Sequence, residues 1–174
     1  MIRFVIFLGF LLACGNFLAA QDSLASDSFL FVKSYQNWAW GAEYKGIIVD
    51  GAGQVFSFNF PKEDLGPTFA TAKPETIADL KEYFNKGRSL IKSIPAAEVE
   101  KMAGLISQVE NASYSADVHT ACDAGTDLWL AYRQDEISGK LKKVLLHKSG
   151  DLTQKSDSPA AKILVEWLDG LVKK

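Results

Sequence analysis

Residues 44–60, YKGIIVDGAGQVFSFNF, decide the fold. Phe56, Phe58 and Phe60 alternate with Val55, Ser57 and Asn59. Successive side chains of a strand point to opposite faces, so the three rings share one face. Tyr44, Gly46 and Ile48 alternate in the same way on the incoming arm. Between the arms, Gly51-Ala52-Gly53 suits a three-residue hairpin loop: a type I turn closed by a glycine at positive φ. That loop pairs Asp50 with Gln54, Ile48 with Phe56, Gly46 with Phe58 and Tyr44 with Phe60. Phe58 then lies over the bare Gly46, an aromatic compensating for a glycine across the ladder. A two-residue loop shifts the register by one and sets Lys45 opposite Phe58, which scatters the apolar side chains over both faces.

Outward from the hairpin, residues 29–35 read as a preceding strand, with Phe29 and Phe31 on one face and Leu30 and Val32 on the other. Residues 36–41 form a turn rich in aromatic side chains. Pro61 ends the hairpin, because proline cannot donate to the ladder, and residues 65–72 are a loop. Pro74 suits the first turn of a helix carrying Ile77, Leu80 and Phe84, with Gly87 as its stop. A second helix starts around Pro95 and continues through the stripe Val99, Met102, Ala103, Ile106 and Val109. Asn111-Ala112-Ser113 has the form of a glycosylation sequon and reads as a polar helix end.

A second β unit follows. Leu128, Leu130 and Tyr132 alternate with Trp129, Ala131 and Arg133; residues 134–140 turn; residues 141–147 return, with Val144-Leu145-Leu146 buried on both faces. Ser149-Gly150-Asp151 leads to a short further strand. Ser158 before Pro159 starts a closing helix, with Ala160, Ile163, Leu164, Trp167, Leu168 and Leu171 as one apolar stripe that packs across the sheet. The order is β-β-β-α-α-β-β-α. Strands that come in hairpins favour an antiparallel sheet with helices packed on one face, the α+β class.

The N-terminus carries a different message. Met1-Ile2-Arg3 is a short positive start, and residues 4–13 are an apolar run too short to span a bilayer and suited to a signal-peptide core. Two processing sites compete. Leu11-Leu12-Ala13-Cys14 resembles a bacterial lipobox, which removes residues 1–13 and lipidates Cys14. Cleavage after Ala20 instead removes residues 1–20 and leaves a soluble form starting at Gln21. Either way residues 21–174 form a single domain, and Cys122 keeps no intramolecular partner, so the exported domain has no internal disulfide. About 150 residues remain, enough to bury a core without a staple.

The chain has 174 residues, 48% hydrophobic and 23% charged, with a net charge of −2, values of an ordinary globular domain that carry no signature of nucleic-acid binding. Lys140, Lys142, Lys143 and Lys148 read as a solvated strand edge.

Three clusters are candidate sites. His119 and Cys122 could act as base and thiol nucleophile, or as metal ligands. Against this, the chain has two histidines and two cysteines in all, and free cysteine is commonly a small buried apolar residue. Asp123-Ala124-Gly125-Thr126-Asp127 loosely has the form of a calcium loop. It lacks a third acidic position and the terminal glutamate of an EF-hand, so a turn entering the next strand explains it as well. Tyr35, Trp38 and Trp40 are a candidate aromatic platform for a glycan or a protein, with burial against Trp129 or Trp167 as the alternative. No phosphate-cradling glycine loop and no nucleophile elbow is present. The expectation is an exported bacterial envelope protein, periplasmic, secreted or lipid-anchored, without a transmembrane span, cofactor or metal. It binds another protein or a surface polymer without chemistry. The alternatives are a small thiol enzyme or hydrolase centred on Cys122 and His119, and a purely structural envelope component.

Overall fold

The structure is a computed structural model and describes residues 28–39, 41–60, 74–135 and 137–172. The signal segment, Cys14, Trp40 and the loop at residues 65–72 lie outside the described residues. An antiparallel sheet of eight strands runs in the order β4-β3-β2-β1-β6-β7-β8-β5. Its strands are β1 (Phe29–Asn37), β2 (Glu43–Asp50), β3 (Gln54–Phe60), β4 (Arg88–Ser93), β5 (Val118–His119), β6 (Thr126–Gln134), β7 (Leu141–Gly150) and β8 (Leu152–Lys155). The helices are α1 (Ile77–Asn85), α2 (Ala96–Ala103), α3 (Ile106–Glu110) and α4 (Pro159–Val172). The α+β class and the hairpin-built sheet are as the sequence leads one to expect.

The deciding hairpin has the three-residue loop. Tyr44 faces Phe60, Gly46 faces Phe58 and Ile48 faces Phe56. The Gly53 amide donates to the Asp50 carbonyl at 3.0 Å, and Gly53 sits at φ 81°. The Asp50 carboxylate adds a second clasp by accepting from the Gln54 amide at 2.9 Å. Gly46 has a further reason to lack a side chain: a Cβ there would lie 2.0 Å from the Lys33 carbonyl oxygen of β1. β1 pairs with β2 on one side and β6 on the other, so it joins the two hairpin units into one sheet.

Strand alternation divides the core in two. Phe31, Ile47, Val49, Val55, Ala131, Val144 and Leu146 face the cluster that includes Val99 of α2, Ile106 and Val109 of α3, and Leu164 and Leu168 of α4. These three helices share one face of the sheet. The opposite face carries Leu30, Val32, Tyr44, Ile48, Phe58, Phe60 and Leu130, and α1 covers it with Ile77, Leu80 and Phe84. The aromatic face of the hairpin is therefore closed by the first helix, while the closing helix packs behind it. Both faces of β7 are buried at its centre, because Val144 and Leu146 point to one cluster and Leu145 packs against the other.

Several local readings are corrected. Between the Gly87 stop and Pro95 lies an unforeseen edge strand, β4, whose Leu90 and Ile91 are about half exposed, so its sequence lacks the buried alternation that reveals a strand. The helix expected from Pro95 through Val109 is two helices. Gly104 caps α2, its amide donating to the Glu100 carbonyl at 3.0 Å, and the chain re-enters a helix at Ile106. Thr76, rather than Pro74, opens α1 as its N-cap. The Thr76 hydroxyl accepts from the Asp79 amide at 3.1 Å and the Asp79 carboxylate accepts from the Thr76 amide at 2.9 Å, a reciprocal cap. In α4, whose Ala160 amide donates to the Ser158 hydroxyl, Ile163 is 47% exposed and Ala161 takes its place in the buried stripe. The lysine-rich stretch is more than a solvated edge, since Lys142 pairs with Glu110 at 3.0 Å and Lys148 with Asp117 at 2.8 Å.

Candidate functional site

Two of the clusters marked in the sequence meet at one end of the sheet. The C-terminal end of β1 lies beside the loop at residues 120–125 that enters β6, and the corner between β7 and β8 closes the third side. The Tyr35 hydroxyl donates to the Ala124 carbonyl at 3.1 Å. The Asn37 carboxamide donates to the Tyr35 hydroxyl at 3.1 Å and to the Asp123 carbonyl at 3.4 Å. From the corner, the Asp151 carboxylate accepts from the Ala124 amide at 2.8 Å. Asp123 itself stands at φ 63°, in the left-handed region that aspartate visits more readily than most residues. The loop is thus held from both sides.

This end forms a cleft of about 340 Å³ lined by Gln36, Asn37, Trp38, Asp123, Thr126 and Asp151. Trp38 is 50% exposed on its rim. The neighbouring Asn37 side-chain oxygen accepts from the Ala39 amide at 2.9 Å, which shapes the chain around the indole. Of the expected platform, Trp38 carries the exposed aromatic surface and Tyr35 is a half-buried strut. Trp129 and Trp167 are instead core residues: each indole N–H is satisfied by a helix carboxylate, Asp169 at 2.8 Å and Glu98 at 2.7 Å respectively.

His119 and Cys122 are brought together. The Cys122 thiol lies 4.0 Å from the His119 Nε2, and both side chains are exposed. A strand would have split them and a helix would have aligned them; the irregular loop after β5 achieves the approach. Neither residue lines the Trp38 cleft. Asp127, the far end of the calcium-like run, is on β6 and feels the charge of Lys33. Among the described residues no three histidine, cysteine or acidic side chains come together to hold a metal ion.

Two further features were not legible as sites in the sequence. On the α4 face, Asp127 is pushed above the ordinary carboxylate range by burial, with Lys33 opposing and Asp169 reinforcing the shift. Lys33 bridges to Asp169 at 2.9 Å and lies 5.3 Å from the centre of the Trp129 ring. This group ties α4 to β1 and β6. On the α1 face, Tyr44, Tyr83 and Tyr132 surround a cavity of about 380 Å³. These residues are far apart in the chain; the pairing of β1 with both β2 and β6 gathers two of them, and α1 packed over that face brings in Tyr83.

No family model, no curated protein and no solved structure matches this chain. Among the described residues no helix is long and apolar enough to cross a membrane.

Proposed function

We propose that this chain is an exported bacterial envelope protein whose domain binds a surface polymer, a glycan, at the Trp38 cleft without catalysing a reaction. The observation that carries the reading is the half-exposed Trp38 indole beside carboxamide, hydroxyl and carboxylate groups. A sugar ring presents an apolar face, which an indole covers, and a rim of hydroxyls, which Thr126, Asp123 and the second carboxylate oxygen of Asp151 can engage. Tryptophan supplies large contact area at low cost in conformational entropy. The strut Tyr35 and the clasp at Asp151 hold the loop before any ligand arrives, which reduces the ordering cost of binding. Export is supported by Arg3 and the apolar run at residues 4–13.

The test is co-sedimentation of the purified protein with insoluble envelope polysaccharide, followed by titration with soluble fragments. Trp38→Ala is expected to weaken binding at least about tenfold, roughly 1.4 kcal/mol, with unfolding unchanged. Equal binding by the variant overturns the assignment of the site. Intact mass of the exported material reads the processing: a lipidated Cys14 start indicates an anchor, a bare Gln21 start a soluble form, and retained Met1 refutes export by cleavage. A thiol enzyme is the second reading, favoured by the 4.0 Å approach of Cys122 to His119.

A further inference from the structure

The cavity on the α1 face is a second concavity, remote in chemistry from the Trp38 cleft. Its walls are more apolar than polar: Leu80 and Phe84 of α1 stand over Leu128 and Leu130 of β6, with Gln36 among the polar groups. Three phenols punctuate these walls. Burial raises the Tyr44 hydroxyl far above its ordinary value, and the nearby Tyr132 and Tyr83 add to the shift. Burial pushes Tyr132 up to about 12. Like any tyrosine, these residues are uncharged at neutral pH, so they add no charge to the wall. At about 380 Å³ the space falls within the range typical of small-molecule sites, roughly 300–1,000 Å³.

Among the described residues one charged side chain, Lys143, lines this cavity. Its neighbours on β7 are neutralised, Lys142 by Glu110 and Lys148 by Asp117. Among the described residues no carboxylate pairs with Lys143. A mostly apolar chamber whose border carries, among the described residues, one cation without a carboxylate partner selects a molecule that is apolar along its length and anionic at one end. We propose that this cavity binds a small apolar monocarboxylate, its hydrocarbon body among Leu80, Phe84, Leu128 and Leu130 and its carboxylate at Lys143. The ammonium supplies selectivity between charged and neutral ligands of equal length, and the apolar walls supply the affinity they share. This inference is independent of the Trp38 reading, since Lys143 does not line that cleft.

Decanoate and decanol have the same chain and differ in charge. Each is titrated calorimetrically into the purified protein at neutral pH and low salt. Decanoate is expected to saturate one site per chain and to bind at least about tenfold tighter than decanol. Lys143→Met is expected to remove that preference while leaving decanol binding and the unfolding midpoint unchanged, because Lys143 is exposed and unpaired with any described carboxylate. Leu128→Trp, which fills the chamber from a half-buried position, is expected to weaken both ligands. Any apolar peptide elsewhere in the chain that takes up decanoate would do so equally in the Lys143 variant. Absence of saturable decanoate binding, equal affinity for the two ligands, or a preference that survives Lys143→Met overturns the proposal. Polysaccharide binding is expected to be unaffected by Lys143→Met, so failure of this site and failure of the Trp38 site are separately visible.

Discussion

Replacing Phe58 by alanine tests the central claim, that the hairpin's aromatic face is core. Phe58 is 3% exposed. Its ring centre lies 5.0 Å from that of Tyr44, 4.9 Å from Phe84 and 5.7 Å from Phe60. A buried phenylalanine removes about 150–250 Å² from water. At roughly 25 cal/mol per Å² this corresponds to about 4–6 kcal/mol, against about 3–5 kcal/mol measured for such truncations. The cost depends on how far the surroundings collapse into the space left behind. Here Gly46 stands directly across the ladder, with no side chain to move in, so the upper part of the range, about 4–5 kcal/mol, is expected. Domains are stable by only about 5–15 kcal/mol, so the variant should be close to its threshold. Urea unfolding followed by fluorescence is the assay. With a slope of about 1–3 kcal/mol per molar, the midpoint should fall by about 2 M with the slope unchanged. Trp38→Ala, on the exposed rim, is the control and should stay within about 0.5 kcal/mol. A loss below about 1 kcal/mol for Phe58→Ala would refute the reasoning, because a ring so enclosed cannot be removed that cheaply.

Three further perturbations follow from particular contacts. Gly46→Ala should destabilise by at least about 2 kcal/mol, since the added methyl meets the Lys33 carbonyl oxygen at 2.0 Å; a neutral or stabilising result in urea unfolding would show that β1 and β2 can spread without cost. The Glu110 side chain is 7% exposed, and the hydrogen bond from Arg133, assisted by Lys142 and opposed by burial, holds its pKa below the ordinary value. A depressed carboxylate contributes stability above its unfolded pKa and loses it as pH falls through the folded one, so Glu110→Gln should cost about 1–3 kcal/mol at neutral pH and progressively less as pH falls below about 4.3; a pH-independent difference contradicts this. Cys122 is exposed and should label with a thiol reagent in the folded protein at neutral pH, and Cys122→Ser should retain polysaccharide binding; loss of all function in that variant would promote the thiol enzyme.

The hairpin was legible to the residue because three constraints agreed. Glycines bounded the loop, rings alternated on one arm, and one of the two possible registers scattered the apolar side chains. The closing helix was legible from its cap at Ser158 and its stripe. β4 was not, because an edge strand with half-exposed Leu90 and Ile91 lacks the alternation that burial imposes. The break at Gly104 was hidden because the apolar spacing continues through it from Val99 to Val109. Which helix covers which face could not be read, since amphipathic stripes state that a face is buried and not against what. The Trp38 cleft was half legible. Its aromatic side chains and its acidic loop each drew notice, but 86 residues separate Asn37 from the Asp123 carbonyl that it contacts. The tyrosine cavity left no local signal at all: its hydroxyls come from β2, α1 and β6.

The two faces of the sheet are fastened by different means, and this bears on where a ligand can enter. On the α4 face, helices and strands are joined by directional polar contacts as well as by burial. Asp169 accepts from the Trp129 indole and pairs with Lys33; Glu98 of α2 accepts from the Trp167 indole of α4; Glu110 takes Arg133 and Lys142 together. Such contacts fail steeply when displaced, because each leaves a half-buried charge without its partner. α1 is held chiefly by three apolar side chains, Ile77, Leu80 and Phe84, and at its N-terminal approach by the Leu141 amide donating to the Glu75 carbonyl at 2.7 Å. Nine residues are too few to form a stable helix alone, so the position of α1 is set by packing against the sheet. Apolar packing is non-directional, and a hydrocarbon ligand can substitute for part of it. By this argument the α1 face can accommodate an apolar guest and the α4 face resists one. Hydrogen exchange should then show faster opening of the α1 amides than of the α4 amides, with decanoate slowing exchange in α1 selectively; equal protection of the two helices would remove this reason for placing the ligand beneath α1.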